Sequence, residues 1–341
     1  MTFPPARTLV CRVVAIVLGS SLLLSGCKAF LDSHYADSVA PRTGVLHLSG
    51  VAQSAEIRRN ALGMPLIESG NMHDALFALG YVHASDRLSQ MIGMRLLAEG
   101  RLAEMAGPGV LDIDRFMRAI NLKKSAGAMY QATSPQLKKA YEVYARGVNA
   151  YLYEYRDKLP MDLAESGYSP TYWTAEDSAL VFSLLNFGLS MNLQEEINAL
   201  VLAQKIDNAQ LAWLIPTYPD ESLPFDETEK LQGLALNGQI PGPSQLNRTV
   251  QQIAGLDMLG VAASNNWAIA PSFSKGGKSL LANDTHLPIA MPSAWNFVQI
   301  RTPKYQAAGV SLAGVPAVIA GFNGKLAWGM TMVMADNQDI F

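Results

Sequence analysis

A chain of 341 residues suits one large or two ordinary domains and can bury a sizeable core. Hydrophobic residues make up 49% and charged residues 16%, which excludes a disordered chain. A formal net charge of −3 offers no electrostatic footprint for nucleic acid or for charge-driven membrane binding, so function has to be sought in sites.

Arg7 and Arg12 precede an apolar run from Val13 to Leu24. That run has the length of a signal-peptide core and is shorter than the roughly 20 residues of a membrane-spanning helix. It ends in Leu24-Ser25-Gly26-Cys27, which resembles a bacterial lipobox. Residues 1–26 are then expected to be a lipoprotein signal peptide, with Cys27 as the lipidated first residue of the mature chain. Lys28 favours the outer membrane, so the expected location is the bacterial envelope, lipid-anchored on the periplasmic side or secreted to the periplasm. Cys11 and Cys27 are the two cysteines, and removal of Cys11 leaves no intrachain disulfide.

Residues 27–215 read as a mostly helical region. Ala55 to Arg59 and Met64 to Glu68 read as strands around an Asn60-Ala61-Leu62-Gly63 turn. Three- and four-residue spacing of Ala75, Leu79, Val82, Leu88, Ile92 and Leu96 predicts a helix from Met72 to about Met105, stopped by Gly107-Pro108-Gly109. Further helices are expected from near Pro135 through Tyr151, from Ala175 to Leu189 behind a Thr174–Asp177 capping box, and from Leu193 to about Lys205.

Residues 216–263 are broken by Pro216, Pro219, Pro224, Pro241 and Pro243, and read as an irregular spacer or linker of the kind proteases cut. From Ser264 onward the pattern turns to strands at 266–270, 279–283, 295–301, 305–309, 318–322 and 326–333. Asn323-Gly324 predicts a type I′ hairpin turn.

Ordered motifs carry a resemblance. Gly80-Tyr81-Val82-His83-Ala84-Ser85-Asp86-Arg87-Leu88-Ser89-Gln90-Met91 and Glu99-Gly100-Arg101-Leu102-Ala103-Glu104 lie in the helical part. Ser264-Asn265-Asn266-Trp267, Asn283-Asp284-Thr285-His286-Leu287, Gly314-Val315-Pro316, Ala327-Trp328-Gly329-Met330-Thr331 and Asp336-Asn337-Gln338-Asp339-Ile340-Phe341 follow. Together they resemble the penicillin acylase family of N-terminal nucleophile hydrolases, which includes acyl-homoserine lactone acylases. Asp86 and Arg87 are expected to be structural hydrogen-bonders.

The resemblance implies an α+β fold, a four-layer α-β-β-α sandwich, incomplete in this chain. Residues 264–341 would begin the β-chain, and α and β chains would come from one precursor by autocleavage between Ala263 and Ser264. The implied activity is hydrolysis of linear amide bonds in small-molecule N-acyl amides, such as β-lactam side chains or acyl-homoserine lactones. Ser264 would be the nucleophile and its own α-amine the base, since an α-amine with a pKa of ~7.7–8.0 is largely available near neutral pH. His286 would orient Ser264 or tune that amine. The backbone N–H of Met332, with Val333 as the alternative one residue on, would donate to the oxyanion. Glu196, Asp336, Asp339 and the Gln338 carbonyl would hold one structural Ca2+, an all-oxygen set suited to a hard cation.

The family pattern continues past Phe341 with an asparagine donor and further calcium ligands, so this chain is expected to be truncated and to lack part of the machinery. A non-catalytic, calcium-stabilised lipoprotein binding module is the competing class. A conventional serine hydrolase is disfavoured because no G-x-S-x-G elbow occurs.

Overall fold

The computed structural model describes residues 36–189 and 263–332, apart from Pro288, and a few single positions elsewhere. Strands β1 (Ala55–Arg59) and β2 (Pro65–Ser69) form a hairpin. Its turn is held by Asn60, whose side-chain oxygen accepts from the N–H groups of Leu62 and Met64.

Helix α1 (Met72–Glu99) begins at Asn71, whose side chain accepts from the Asp74 N–H at 2.8 Å. It ends at Gly100, which takes the left-handed conformation at φ 64°. The helix expected to run on to Met105 therefore stops earlier, and α2 (Ala103–Ala106) is a separate short turn. Asp114 fixes that break by accepting from the N–H groups of Leu102 and Ala103. Helices α3 (Leu111–Ile120) and α4 (Leu122–Ala132) follow, divided at Asn121, where φ is 55°. Neither was anticipated, because each is short. Helix α5 (Pro135–Tyr155) starts at Ser134 with proline in its first turn, then comes α6 (Met161–Ser166). Helix α7 (Ala175–Leu189) opens on the expected box: the Asp177 N–H donates to Thr174 Oγ1 and the Thr174 N–H to Asp177 Oδ2. The helix expected after Leu193 lies outside the described residues.

Helices α1 and α5 cross in direct backbone contact. A Cβ at Gly80 would collide with the Tyr144 carbonyl, and one at Gly147 with the Phe77 carbonyl. The core lies between α1, α5, α7 and the sheet, with Leu79, Leu88, Ile92, Leu96, Tyr144 and Trp173 essentially inaccessible. Each such aliphatic side chain contributes roughly 1.5–3 kcal/mol relative to exposure.

Strands β5 (Trp295–Arg301), β6 (Gln306–Leu312), β7 (Val318–Phe322) and β8 (Ala327–Trp328) complete a six-stranded sheet of order β1-β2-β5-β6-β7-β8. The β2–β5 pairing is parallel and the others antiparallel. Val298 and Ile300 face the helices, whereas Phe297 on the other face is half exposed. Strands β3 (Ala263–Ile269) and β4 (Leu280–His286) form a separate antiparallel ribbon. The arrangement is α+β, as expected.

Two strand expectations change. The strand predicted over 326–333 is reduced to Ala327–Trp328, because Met330 pairs with a side chain and not with a strand (below). The β7–β8 hairpin forms, but its turn is not type I′: Gly324 alone has positive φ. Asn323 keeps an ordinary φ and closes the loop through its side chain, which accepts from the Lys325 and Leu326 N–H groups.

One buried polar chain pins the helices to the sheet. The Gly314 N–H donates to the Tyr144 hydroxyl, which lies 2.7 Å from His83 Nδ1. His83 Nε2 lies 2.9 Å from Ser311 Oγ, which donates to the Asn296 carbonyl. Since both ends have fixed direction, the middle must run Tyr144 O–H to Nδ1 and Nε2–H to Ser311, giving a neutral His83. Burial, with Arg87 adding repulsion, pushes His83 down to about 3.

Candidate active site

Strand β4 alternates exposed and half-buried residues, so Leu281, Asn283 and Thr285 turn inward. The ladder pairs Ser264 with Thr285 and Asn266 with Asn283, placing these four side chains on one face of the ribbon. Ser264 is half-buried. His286 pairs with Ala263 and lies on the opposite, outward face. Its Nε2 meets Asp284 Oδ2 at 2.6 Å, and both side chains remain substantially exposed. The ladder thus sets His286 beside the backbone of Ala263, not beside the Ser264 hydroxyl.

Asn283 ties this ribbon to the segment after β8. Its amide nitrogen donates to the Met330 carbonyl at 2.9 Å and to the Asn265 carbonyl at 3.1 Å, and its oxygen accepts the Met330 N–H at 3.0 Å. Gly329 allows the approach: a Cβ there would come within 2.6 Å of Asn266 Nδ2 and 2.8 Å of Asn283 Cγ. Met332 lies two residues beyond this clamp and is half-buried.

Beside the ribbon lies an apolar cavity of about 560 Å³, open to solvent and lined by Met94, Leu163, Leu184, Leu287, Ile289 and Trp295 among others. Such a volume falls in the range of small-molecule sites. Trp295 joins cavity to ribbon, its Nε1–H donating to Thr285 Oγ1 at 2.9 Å.

The helical motif serves this wall. Helix α1 kinks at Arg87 (φ −144°, ψ 20°), and Arg87 and Gln90 both donate to the Ser293 carbonyl, holding the segment that follows β4. Asp86 accepts both Arg59 Nη1 and Nη2 at 2.8 Å, so it is a structural pair. Gly80 supplies the helix crossing, and Met91 is fully buried.

Val333, Glu196, Asp336, Gln338, Asp339 and Cys27 lie outside the described residues, as does nearly all of the expected spacer at 216–263. Among the described residues no cluster of three or more metal-ligating side chains occurs, and no helix is long and apolar enough to cross a membrane. The sequence reading assigned no role to Asn283, Thr285, Trp295 or Gly329. Alternation along 280–286 puts Asn283 and Thr285 on one face of their strand, but which of its faces Ser264 shares depends on the pairing, and their partners Met330 and Trp295 carry no local signal.

The chain is 68% identical over 327 residues to an acyl-homoserine lactone acylase, QuiP, of Pseudomonas aeruginosa, covering 96% of this chain and 39% of that protein. It is 29% identical over 320 residues to a penicillin acylase 2 proenzyme of Pseudomonas sp. (strain SE83), covering 89% of this chain and 39% of that one. A solved structure, a thermostable penicillin G acylase from Alcaligenes faecalis, overlaps 51% of this chain and 96% of its own, with 25% identity and a TM-score of 0.43. The chain thus spans about two fifths of the length of these curated relatives. Residues 54–341 match the family model described as penicillin amidase, and the chain belongs to that family.

Proposed function

We propose that the protein hydrolyses linear N-acyl amides, acyl-homoserine lactones foremost, with Ser264 as an N-terminal nucleophile. The observation that carries this reading is the apolar cavity joined through Trp295 and Thr285 to the strand that holds Ser264. Relatives named as acylases, one for acyl-homoserine lactones, support the substrate class. In that setting the activity would quench quorum signals.

In maturation, Ser264 Oγ attacks the Ala263 carbonyl and the peptide nitrogen leaves as the Ser264 amine. Water then opens the resulting ester, leaving a carboxylate on Ala263. In turnover the free amine, acting through one water, takes the Ser264 proton as Oγ attacks the substrate carbonyl. The tetrahedral oxyanion accepts the Met332 N–H, a donor of a kind worth roughly 2.7–4 kcal/mol. Collapse expels the amine, which takes the proton, and water hydrolyses the acyl-enzyme to a carboxylic acid.

We assign His286, with Asp284, to the freed amine and not to the hydroxyl, because it pairs with Ala263 across the ladder. Glu196, Asp336, Asp339 and the Gln338 carbonyl would supply all-oxygen donors of the kind a structural Ca2+ takes. Cys27 carries the lipid anchor, a reading that radiolabelled palmitate tests: no label on Cys27 would refute it.

The test of function is release of free amine from a panel of N-acyl amides, comparing wild type with Ser264→Ala in the protein expressed from its complete reading frame. Hydrolysis of acyl-homoserine lactones that disappears in Ser264→Ala is expected. Equal hydrolysis by both proteins would refute the reading.

A further inference from the structure

We propose that Thr285 is a positioning residue for Ser264, held in its working rotamer by the Trp295 indole. This rests on the reading of Ser264 as the nucleophile.

The ladder sets Thr285 directly opposite Ser264, and both side chains stand on the inward face. Directly opposed Cβ atoms in an antiparallel pair sit ≈ 4.5–5.5 Å apart, within reach of a hydroxyl–hydroxyl hydrogen bond. The direction of that bond follows from the third partner. An indole N–H only donates, so Thr285 Oγ1 must accept from Trp295 at 2.9 Å. The threonine's own proton is then turned away from the indole and is available to the residue across the ladder. Asn283, the next inward residue of β4, cannot compete for Ser264, since its amide is committed to Met330 and Asn265.

A bond donated by Thr285 to Ser264 Oγ does two things. It occupies one lone pair of the serine, leaving the serine proton free to face the base. It also places a donor on Oγ as the amine draws off the serine proton, before the developing charge passes to the substrate carbonyl oxygen. The β-branched threonine has few rotamers to choose from, and the indole selects among them. Trp295 also lines the cavity, so an acyl chain packed against it bears on the same hydroxyl.

The experiment uses the protein expressed from its complete reading frame, with Thr285→Val, Thr285→Ser, Trp295→Phe and Ser264→Ala. Thr285→Val keeps the branched shape and removes the hydroxyl. It should lower kcat roughly five- to ten-fold with KM within about two-fold, the scale of one hydrogen bond. Thr285→Ser should restore kcat to within about two-fold, and Trp295→Phe should lower it with Thr285 intact. A wild-type kcat in Thr285→Val, or a Thr285→Ser as slow as Thr285→Val, would overturn the proposal. If Thr285→Val does not fold, Trp295→Phe decides, and a wild-type kcat there overturns it. Ser264→Ala separates the two levels: activity lost in Ser264→Ala but unchanged in Thr285→Val refutes only the positioning role, whereas activity retained in Ser264→Ala refutes the nucleophile itself.

Discussion

The Asn283 side chain pairs with the Met330 backbone as one strand pairs with another, donating to its carbonyl and accepting from its N–H. Through the Asn265 carbonyl the same amide reaches the strand of Ser264. A single side chain therefore fixes the distance between the strand of Ser264 and the segment that leads to Met332. Asn283→Ala should leave the helical core intact and lower kcat by about ten- to a hundred-fold, a part of what loss of an oxyanion donor costs. Steady-state kinetics beside a thermal melt would check this, and an unchanged kcat would remove Met332 from the mechanism.

Gly329 makes that pairing sterically feasible. A methyl at this position would lie too close to both Asn266 and Asn283, so the clamp must open or the ribbon must shift. Gly329→Ala is expected to slow maturation and turnover together, and to cost about 1–3 kcal/mol of stability through overpacking. Denaturant unfolding measures the second effect directly.

Acid should unpick the His83 chain. His83 is neutral and fully buried, and its pKa is lowered from 6.5 to about 3. Between those values the unfolded chain binds the proton and the folded one does not. The contribution of His83 is therefore fully present above about pH 6.5 and is lost as pH falls toward 3, with a slope of up to about 1.4 kcal/mol per pH unit. Stability curves for wild type and His83→Gln should converge as pH falls through this window, because the variant has no such proton to bind. Parallel curves would show that His83 is not buried neutral.

Arg87 and Gln90 hold the Ser293 carbonyl and, with it, one wall of the cavity. Arg87→Met keeps much of the apolar stem and removes the donor. KM for acyl substrates should rise roughly three- to ten-fold with a smaller change in kcat, the net worth of about one ordinary hydrogen bond. Progress curves across several acyl lengths would separate this from a general loss of activity.

The sequence was most legible where one local rule decides the outcome. The Thr174–Asp177 box, the α1 periodicity and the strands Trp295–Arg301 and Val318–Phe322 fall where pattern placed them. It was less legible where backbone geometry overrides pattern. Gly100 stops α1 although apolar spacing continues, and Asn323 closes its loop by side-chain acceptance instead of adopting positive φ. The site divides in the same way. Ser264, His286 and Met332 could be named from ordered motifs. That His286 shares no face with Ser264, and that Thr285 and Asn283 do, follows from a register that only the paired strands reveal. The cavity was illegible for a related reason: its walls come from α1, α6, α7 and the segment after β4, and no local spacing records their meeting.

Ser264 as a nucleophile exposed by cleavage after Ala263 is the central claim, and the intact mass of the protein expressed from its complete reading frame tests it most directly. The account predicts two chains, one of them beginning at Ser264, in wild type, and a single uncleaved chain in Ser264→Ala. A wild-type protein that stays uncleaved while hydrolysing N-acyl amides, or a Ser264→Ala protein that still yields the new N-terminus, would contradict it.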